Sequence, residues 1–344
     1  MERVISLTTG KKHRIYLFIQ YILSLFLCLV LIVSLTGCSK RELVNQYCNT
    51  NINMSVDKEG SISESSVNRV AAFSGNLAVL PEGFTNQFQY SSEAGELLLV
   101  NNDTNEILYS KNSMSKVAPA STTKILTAYI ILTHCNLKDK VTVSQDIALE
   151  SGAVALFIGK GDVITVDELL HGLLIESAND CAVALAIHVS GSVSEFAKLM
   201  NQTALELGAT HSYFKNPHGL DQEGHYSCAY DLYLILKKAL EIPHFVEIIS
   251  KKSYTITYTN SESEKVETPI TSSNQYLSGK SNPPNGITIL GGKTGTTTNA
   301  GHCLVLSAQN SEQQHLIGVV LNATDRNQLY DTMTHLLKQN SDYP

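Results

Sequence analysis

Ser121-Thr122-Thr123-Lys124 sets a hydroxyl and an amine three residues apart, at the head of an apolar run of Ile125, Leu126, Ala128, Tyr129, Ile131 and Leu132. On a helix, positions i and i+3 share a face, so the amine reaches the hydroxyl. A neutral lysine there can take the serine proton and leave a nucleophile. Two more polar groups follow in order. Ser177-Ala178-Asn179 is the first, and Lys293-Thr294-Gly295-Thr296 is the second. The latter joins a point charge to hydroxyl donors, a combination suited to a carboxylate. Lys293 would also help Lys124, because burial and a neighbouring cation both lower a lysine pKa. Together these groups could carry acyl transfer through a serine ester.

Each element alone is weak, and the sequence supplies its own controls. Ser-x-x-Lys recurs at Ser113/Lys116 and Ser212/Lys215, and Ser-x-Asn at Ser66/Asn68 and Ser272/Asn274. Lys116 lies just before Pro119 without apolar periodicity, and Lys215 runs into Asn216-Pro217, a turn signal. Ser121 instead follows Pro119 at a plausible helix start. Taken in isolation, Ser177 and Asn179 would serve as a helix cap before Asp180. Gly291-Gly292-Lys293-Thr294-Gly295 in isolation would be a turn. It is not a phosphate-binding loop, because Ile287 stands where that spacing requires glycine.

The ordered set resembles that of the D-alanyl-D-alanine carboxypeptidases, the low-molecular-weight penicillin-binding proteins. The likeness runs from about Gly95 to the C-terminus. It includes Ala118-Pro119-Ala120, Asp180, Phe214-Lys215-Asn216-Pro217-His218-Gly219-Leu220 and Ala300-Gly301-His302-Cys303. The resemblance implies an α/β (α+β) fold of the penicillin-binding/β-lactamase-like transpeptidase type. Its antiparallel sheet is flanked by helices and carries an inserted helical lobe, with the active site where the two meet. Ser121 would attack, Lys124 would act as base, Ser177 would relay a proton to the departing amine, and Asn179 would hold Lys124 and the substrate amide. Lys293, Thr294, Gly295 and Thr296 would bind the terminal carboxylate, and the N–H groups of Ser121 and Thr296 would receive the oxyanion. Asn216, Gly219 and Asp231 would hold the scaffold.

The implied substrate is a peptidoglycan stem peptide ending in D-Ala-D-Ala, with β-lactam antibiotics as covalent inhibitors and no metal or cofactor. A serine β-lactamase is the rival reading. Class A enzymes of that kind use an additional glutamate, and no Glu-x-x-x-Asn occurs in 201–220, where Glu206 is followed four residues on by Thr210. A catalytically silent peptidoglycan-binding lipoprotein of the same fold is the other alternative, disfavoured because the nucleophile, base and carboxylate-binding positions are all filled.

Periodicity sketches the elements that must position these groups. A β-hairpin is expected over 96–100 and 106–110, and helices over 166–174, 180–189, 193–207 and 230–240, the last capped by Ser227. Alternating Tyr254, Ile256 and Tyr258 read as a strand. Further strands are expected at 287–293, 303–308 and 315–321, before a helix over 327–338. Strands at both ends with helices between imply a sheet built from discontinuous sequence. Gly291, Gly292 and Gly295 are expected to let an extended peptide lie along a strand edge.

The chain has 344 residues, is 43% hydrophobic and carries a formal charge of −7. The acidic balance argues against a nucleic-acid partner and offers no basic patch for anionic lipids. Lys11, Lys12 and Arg14 precede an apolar run from Ile15 to Leu35, which describes an export signal over 1–37. Leu35-Thr36-Gly37-Cys38 resembles a lipobox, with Cys38 as the lipidated residue. An uncleaved membrane anchor is the competing reading. Both place the rest at the extracytoplasmic face of a bacterial membrane. Residues 38–85 read as a polar tether and 86–344 as the catalytic domain, without the β-rich second domain of many relatives. Seven cysteines and eleven histidines show no metal-ligand spacing. Cys135, Cys181 and Cys303 read as buried small hydrophobes.

Overall fold

Leu97 and Leu99 face one way along the first strand, Glu96–Asn101 (β1), while Leu98 and Val100 face the other, and all four are buried. Residues alternate across a strand, so this strand must be covered on both faces. In the computed structural model, which describes residues 77–81 and 83–340, it is. The expected signal segment, Cys38 and most of the tether lie outside the described residues.

β1 lies inside a five-stranded antiparallel sheet with β2 (Glu106–Lys111), β7 (Thr288–Thr297), β8 (Gly301–Gln309) and β9 (His315–Ala323). The order is β2-β1-β9-β8-β7. Leu97, Leu99, Leu304, Leu306 and Val320 pack on one face against the C-terminal helix. Leu98, Val100, Val305, Ile317 and Val319 pack on the other face into a larger core shared with the helices of the inserted segment.

That segment begins with a 3₁₀ turn, Ala120–Thr123, which runs into α1 (Lys124–His134). It continues through α2 (Val166–His171), a π-helical turn (Gly172–Glu176), α3 (Asn179–Ser190), α4 (Val193–Glu206), α5 (Ala229–Ala239) and α6 (Pro243–Ile249). The short α7 (Gln275–Ser278) precedes β7, and α8 (Arg326–Lys338) closes the fold. Ile125, Leu126, Ala128, Ile130 and Ile131 are all fully buried. A helix apolar on this scale belongs in the centre, and α1 contributes to the core between sheet and helices. Cys181 and Cys303 are buried as expected, and Cys135 is partly so.

Three expectations need correction. A second antiparallel sheet, β3-β4-β5-β6, joins Lys140–Thr142, Val163–Thr165, Ser253–Thr259 and Lys265–Thr271. Only β5 was visible in the sequence; β3 and β4 have three residues each, and in β6 only Ile270 is buried. The cap of α5 is Cys228, whose sulfur accepts from the Asp231 N–H. Ser227 instead exchanges backbone hydrogen bonds with Val117. Residues ahead of 86 also pack on this domain. Ala78 is fully buried, its N–H donates to the Tyr233 hydroxyl at 3.1 Å, and its carbonyl accepts from Tyr230 at 2.7 Å. Leu77, Leu80 and Phe84 pack against the core alongside it. Among the described residues no helix is long and apolar enough to cross a membrane.

Candidate active site

The Ser121 hydroxyl accepts from the Lys124 amine at 2.9 Å. The expected i,i+3 geometry arises on the 3₁₀ turn rather than within the α-helix, and on such a turn those two positions eclipse. The turn is fastened by the Thr122 hydroxyl, which donates to the Pro119 carbonyl at 2.6 Å. Ala120 sits in the left-handed region at φ +48°, a sparsely populated conformation for a residue with a side chain, of the kind found at functional sites.

Lys124 is fully buried. Its other two partners are the Asn179 Oδ1 and the His218 carbonyl, each at 2.7 Å. Burial, reinforced by the charge of Lys293, holds its pKa well below the usual lysine range. A neutral amine has two hydrogens and one lone pair. When the amine loses the hydrogen directed at Ser121, the other two stay on Asn179 and His218 and the lone pair faces the Ser121 hydroxyl.

The His218 carbonyl comes from a loop that the sequence marks for scaffolding. Asn216 Oδ1 accepts from the Gly219 N–H at 2.7 Å. Gly219 has φ +87°, and a Cβ there would run into the Ala120 carbonyl, so only glycine lets this loop close over the nucleophile turn. Asp231 takes the His211 N–H at 2.8 Å and the Ser212 hydroxyl at 2.6 Å, fixing the start of the same loop.

Ser177 and Asn179 do not cap α3. The cap position is Ala178, without a side-chain hydrogen bond. Ser177 follows the π-helical turn in the left-handed region at φ +74°. Asn179 spends its amide nitrogen on the Val154 carbonyl at 2.9 Å, which leaves Oδ1 aimed at Lys124. Lys293 on β7 donates to the Ser177 hydroxyl at 2.9 Å and to the Thr294 carbonyl at 2.8 Å. It too is buried, which lowers its pKa to about 7 against the opposing pull of Glu176.

β7 is an edge strand of the five-stranded sheet and passes against the nucleophile turn. A Cβ at Gly295 would lie 2.7 Å from the Ser121 nitrogen and 2.8 Å from the Ala120 Cβ. The other two glycines serve packing, which corrects the expectation that they clear a path for substrate. Gly291 abuts Ile249, and Gly292 abuts Val305 and Leu306 of β8.

Sequence reading missed several residues around this edge. The Thr294 hydroxyl pairs with Ser273 at 2.6 Å, and the Thr296 hydroxyl with His302 Nδ1 at 3.0 Å. These four side chains, with Gly295 and Arg326, line a cavity of about 50 Å³. Arg326 brings a second cation there. Nothing at residue 326 in the sequence signals this, since the position follows from where β9 ends. Ser273 lies between Ser272 and Asn274, a Ser-x-Asn away from the Lys124 network, yet its neighbourhood belongs to the site.

The profile of the D-alanyl-D-alanine carboxypeptidase family, peptidase S11, matches residues 81–325. D-alanyl-D-alanine carboxypeptidase DacF of Bacillus subtilis (strain 168) is 36% identical over 271 residues, 76% of this chain and 67% of the relative. DacC of Escherichia coli (strain K12) is 35% identical over 249 residues, 69% of this chain and 58% of the relative. The chain thus spans about two thirds or less of the length of these curated relatives. The Streptomyces K15 DD-transpeptidase crystal structure superposes with a TM-score of 0.67 at 28% identity, covering 73% of this chain and 97% of that one. Penicillin-binding protein 6B of Escherichia coli gives 0.63 at 29% identity, covering 73% and 78%. With the Ser-x-x-Lys, Ser-x-Asn and Lys-Thr-Gly groups gathered at one junction in the fold these proteins share, the chain belongs to the S11 family of serine D-alanyl-D-alanine carboxypeptidases.

Proposed function

We propose that this chain removes the terminal D-alanine from peptidoglycan stem peptides through an acyl-enzyme on Ser121. The observation that carries this reading is the pair of buried lysines, each 2.9 Å from a serine hydroxyl, on opposite sides of one junction. Lys124 takes the Ser121 proton as the hydroxyl attacks the carbonyl of the penultimate D-alanine. The N–H groups of Ser121 and Thr296 receive the oxyanion. Ser177, hydrogen-bonded to Lys293, relays the proton that Lys124 took from Ser121 to the departing amine, so the C–N bond breaks to release D-alanine and Lys124 is neutral again. Water then attacks the ester with Lys124 again as base. Lys293, Thr294, Gly295 and Thr296 bind the terminal carboxylate, and the peptide lies along the β7 edge as an added strand. Asn179 orients Lys124 and the substrate amide.

The same ester forms with β-lactams, which inhibit by occupying Ser121. Acids around the site are already engaged: Glu176 accepts from the Thr271 N–H, Asp180 from the Leu156 and Ile158 N–H groups, and Asp221 from Thr297 and Asn299. That favours a slowly cleared penicilloyl ester over β-lactamase turnover. Residues 1–37 direct export, Cys38 carries the lipid, and a polar tether leads to the catalytic domain at the extracytoplasmic face of the membrane. Peptide turnover tests the activity: release of D-alanine from an acylated peptide ending in D-Ala-D-Ala, absent in Ser121→Ala. Rapid multiple-turnover nitrocefin hydrolysis without D-alanine release would replace the reading with a β-lactamase. Fatty-acid labelling that survives Cys38→Ala would exclude lipidation there.

A further inference from the structure

His225 is a buried residue to which neither the motifs nor the mechanism above gives a role. Its Nδ1 accepts the Lys215 backbone N–H at 3.2 Å. That fixes the tautomer: Nδ1 carries the lone pair and Nε2 carries the hydrogen. Nε2 lies 3.1 Å from the Thr123 hydroxyl oxygen and so donates to it. The ring packs edge-on against Phe214, with centroids 5.7 Å apart. One imidazole therefore bridges both ends of the 214–225 loop to the residue directly before Lys124. Halfway along that loop is the His218 carbonyl, one of the two acceptors that orient the amine.

We propose that His225 is a positioning residue for the acylation step, clamping the 214–225 loop to Thr123 so that the His218 carbonyl stays on the Lys124 amine. The proposal rests on the reading of Lys124 as base. Cleavage of a loop contact would not move the nucleophile; it would free one N–H of Lys124 and let its lone pair swing off Ser121. Burial holds the imidazole at a pKa of about 4 although Asp221 pulls the other way, so the bridging neutral form persists through the working pH range. The other titratable group acting on it is His218 of its own loop, which in turn feels Lys124 of α1. His218 is itself held neutral at about 3, and its Nδ1 accepts the Leu220 N–H.

The test measures the second-order acylation rate of Ser121 by benzylpenicillin from pH 5 to 10 in His225→Gln, His225→Asn and His225→Ala. A glutamine amide can reproduce the Nε2–H donor, whereas an asparagine can reproduce only the Nδ1 acceptor. We expect His225→Gln to stay within about threefold of wild type. His225→Asn and His225→Ala should lose roughly tenfold or more, since small displacements of a reacting group are costly. Loss of the carbonyl acceptor disfavours the ammonium form, so the acid limb of the rate profile should move to lower pH in the alanine variant. Thr123→Val removes the acceptor of the clamp without removing the ring. It should match His225→Ala, and the double variant should be no slower than either single one. Equal rates and an unmoved acid limb in folded His225→Ala and Thr123→Val protein would overturn the proposal, as would multiplying effects in the double variant. Failure of wild-type protein to acylate at all would instead overturn the reading of the site, so the two failures are distinguishable.

Discussion

Two serine–lysine pairs of equal length face each other across this site, and they differ in what surrounds the amine. Lys124 is ringed by neutral acceptors, the Asn179 amide oxygen and the His218 carbonyl, with Ser121 as its third contact. Lys293 has Ser177 and the Thr294 carbonyl, with the Glu176 carboxylate close enough to sustain its charge. Both are buried, so distance and exposure do not separate them. The balance of local charge does: the neighbouring cation Lys293 acts with burial to lower the Lys124 pKa, ahead of the weaker upward pulls of Cys181 and Asp180, whereas on Lys293 the Glu176 carboxylate works against burial. The first suits a base and the second a carboxylate anchor.

Removing each amine is the most direct way to break that symmetry. Lys124→Ala should reduce acylation of Ser121 by about 10²–10⁴-fold, the usual cost of losing a general base; a wild-type acylation rate in stopped-flow β-lactam binding would show that Lys124 is not the base. Gly295→Ala should come next. Its new methyl would press on the Ser121 nitrogen and Ala120, and a displacement near 1 Å can cost about 10²-fold. The loss should appear in acylation rate, with a fall in thermal stability beside it, because the atoms that must give way are the Ser121 backbone and the Ala120 Cβ.

Lys293→Ala should act mainly on recognition. A charge-assisted hydrogen bond is worth about 1.5–3 kcal/mol, so KM for a D-Ala-D-Ala peptide should rise by roughly 10–100-fold and exceed any fall in kcat. The same asymmetry predicts a bell in kcat/KM against pH. On the acid side activity falls as Lys124 gains a proton below its lowered pKa. On the alkaline side it falls above about pH 7 as Lys293 loses its charge. A peptide whose terminal carboxylate is amidated should lack the alkaline limb, and a limb that persists there would assign it to another group.

The chemistry was more legible in the sequence than the architecture around it. Ser121, Lys124, Ser177, Asn179 and Lys293 have distinct side chains at fixed spacings, and all five meet. The five-stranded sheet showed through because its strands carry dense apolar patterns. The second sheet did not, because β3 and β4 are three residues long and β6 buries mainly Ile270. Backbone groups were invisible for a different reason. That His218 acts through its carbonyl, and that Arg326 reaches the Thr294 and Thr296 edge, are consequences of loop closure and strand length rather than of residue type. The polar composition of residues 38–85 likewise concealed the packing of Leu77, Ala78, Leu80 and Phe84. That contact predicts the smallest effect: Tyr230→Phe, which loses the bond to the Ala78 carbonyl, should lower stability by about 1 kcal/mol in urea denaturation and leave acylation unchanged.

Intact-mass spectrometry of the protein over time with benzylpenicillin tests the central contrast most directly, run on wild type, Lys124→Ala and Lys293→Ala. We expect one long-lived penicilloyl group on wild-type Ser121, almost none on Lys124→Ala over the same interval, and full but slower labelling of Lys293→Ala that catches up at higher penicillin concentration. Labelling of Lys124→Ala at the wild-type rate, with Lys293→Ala inert at every concentration, would exchange the roles of the two lysines and contradict that contrast.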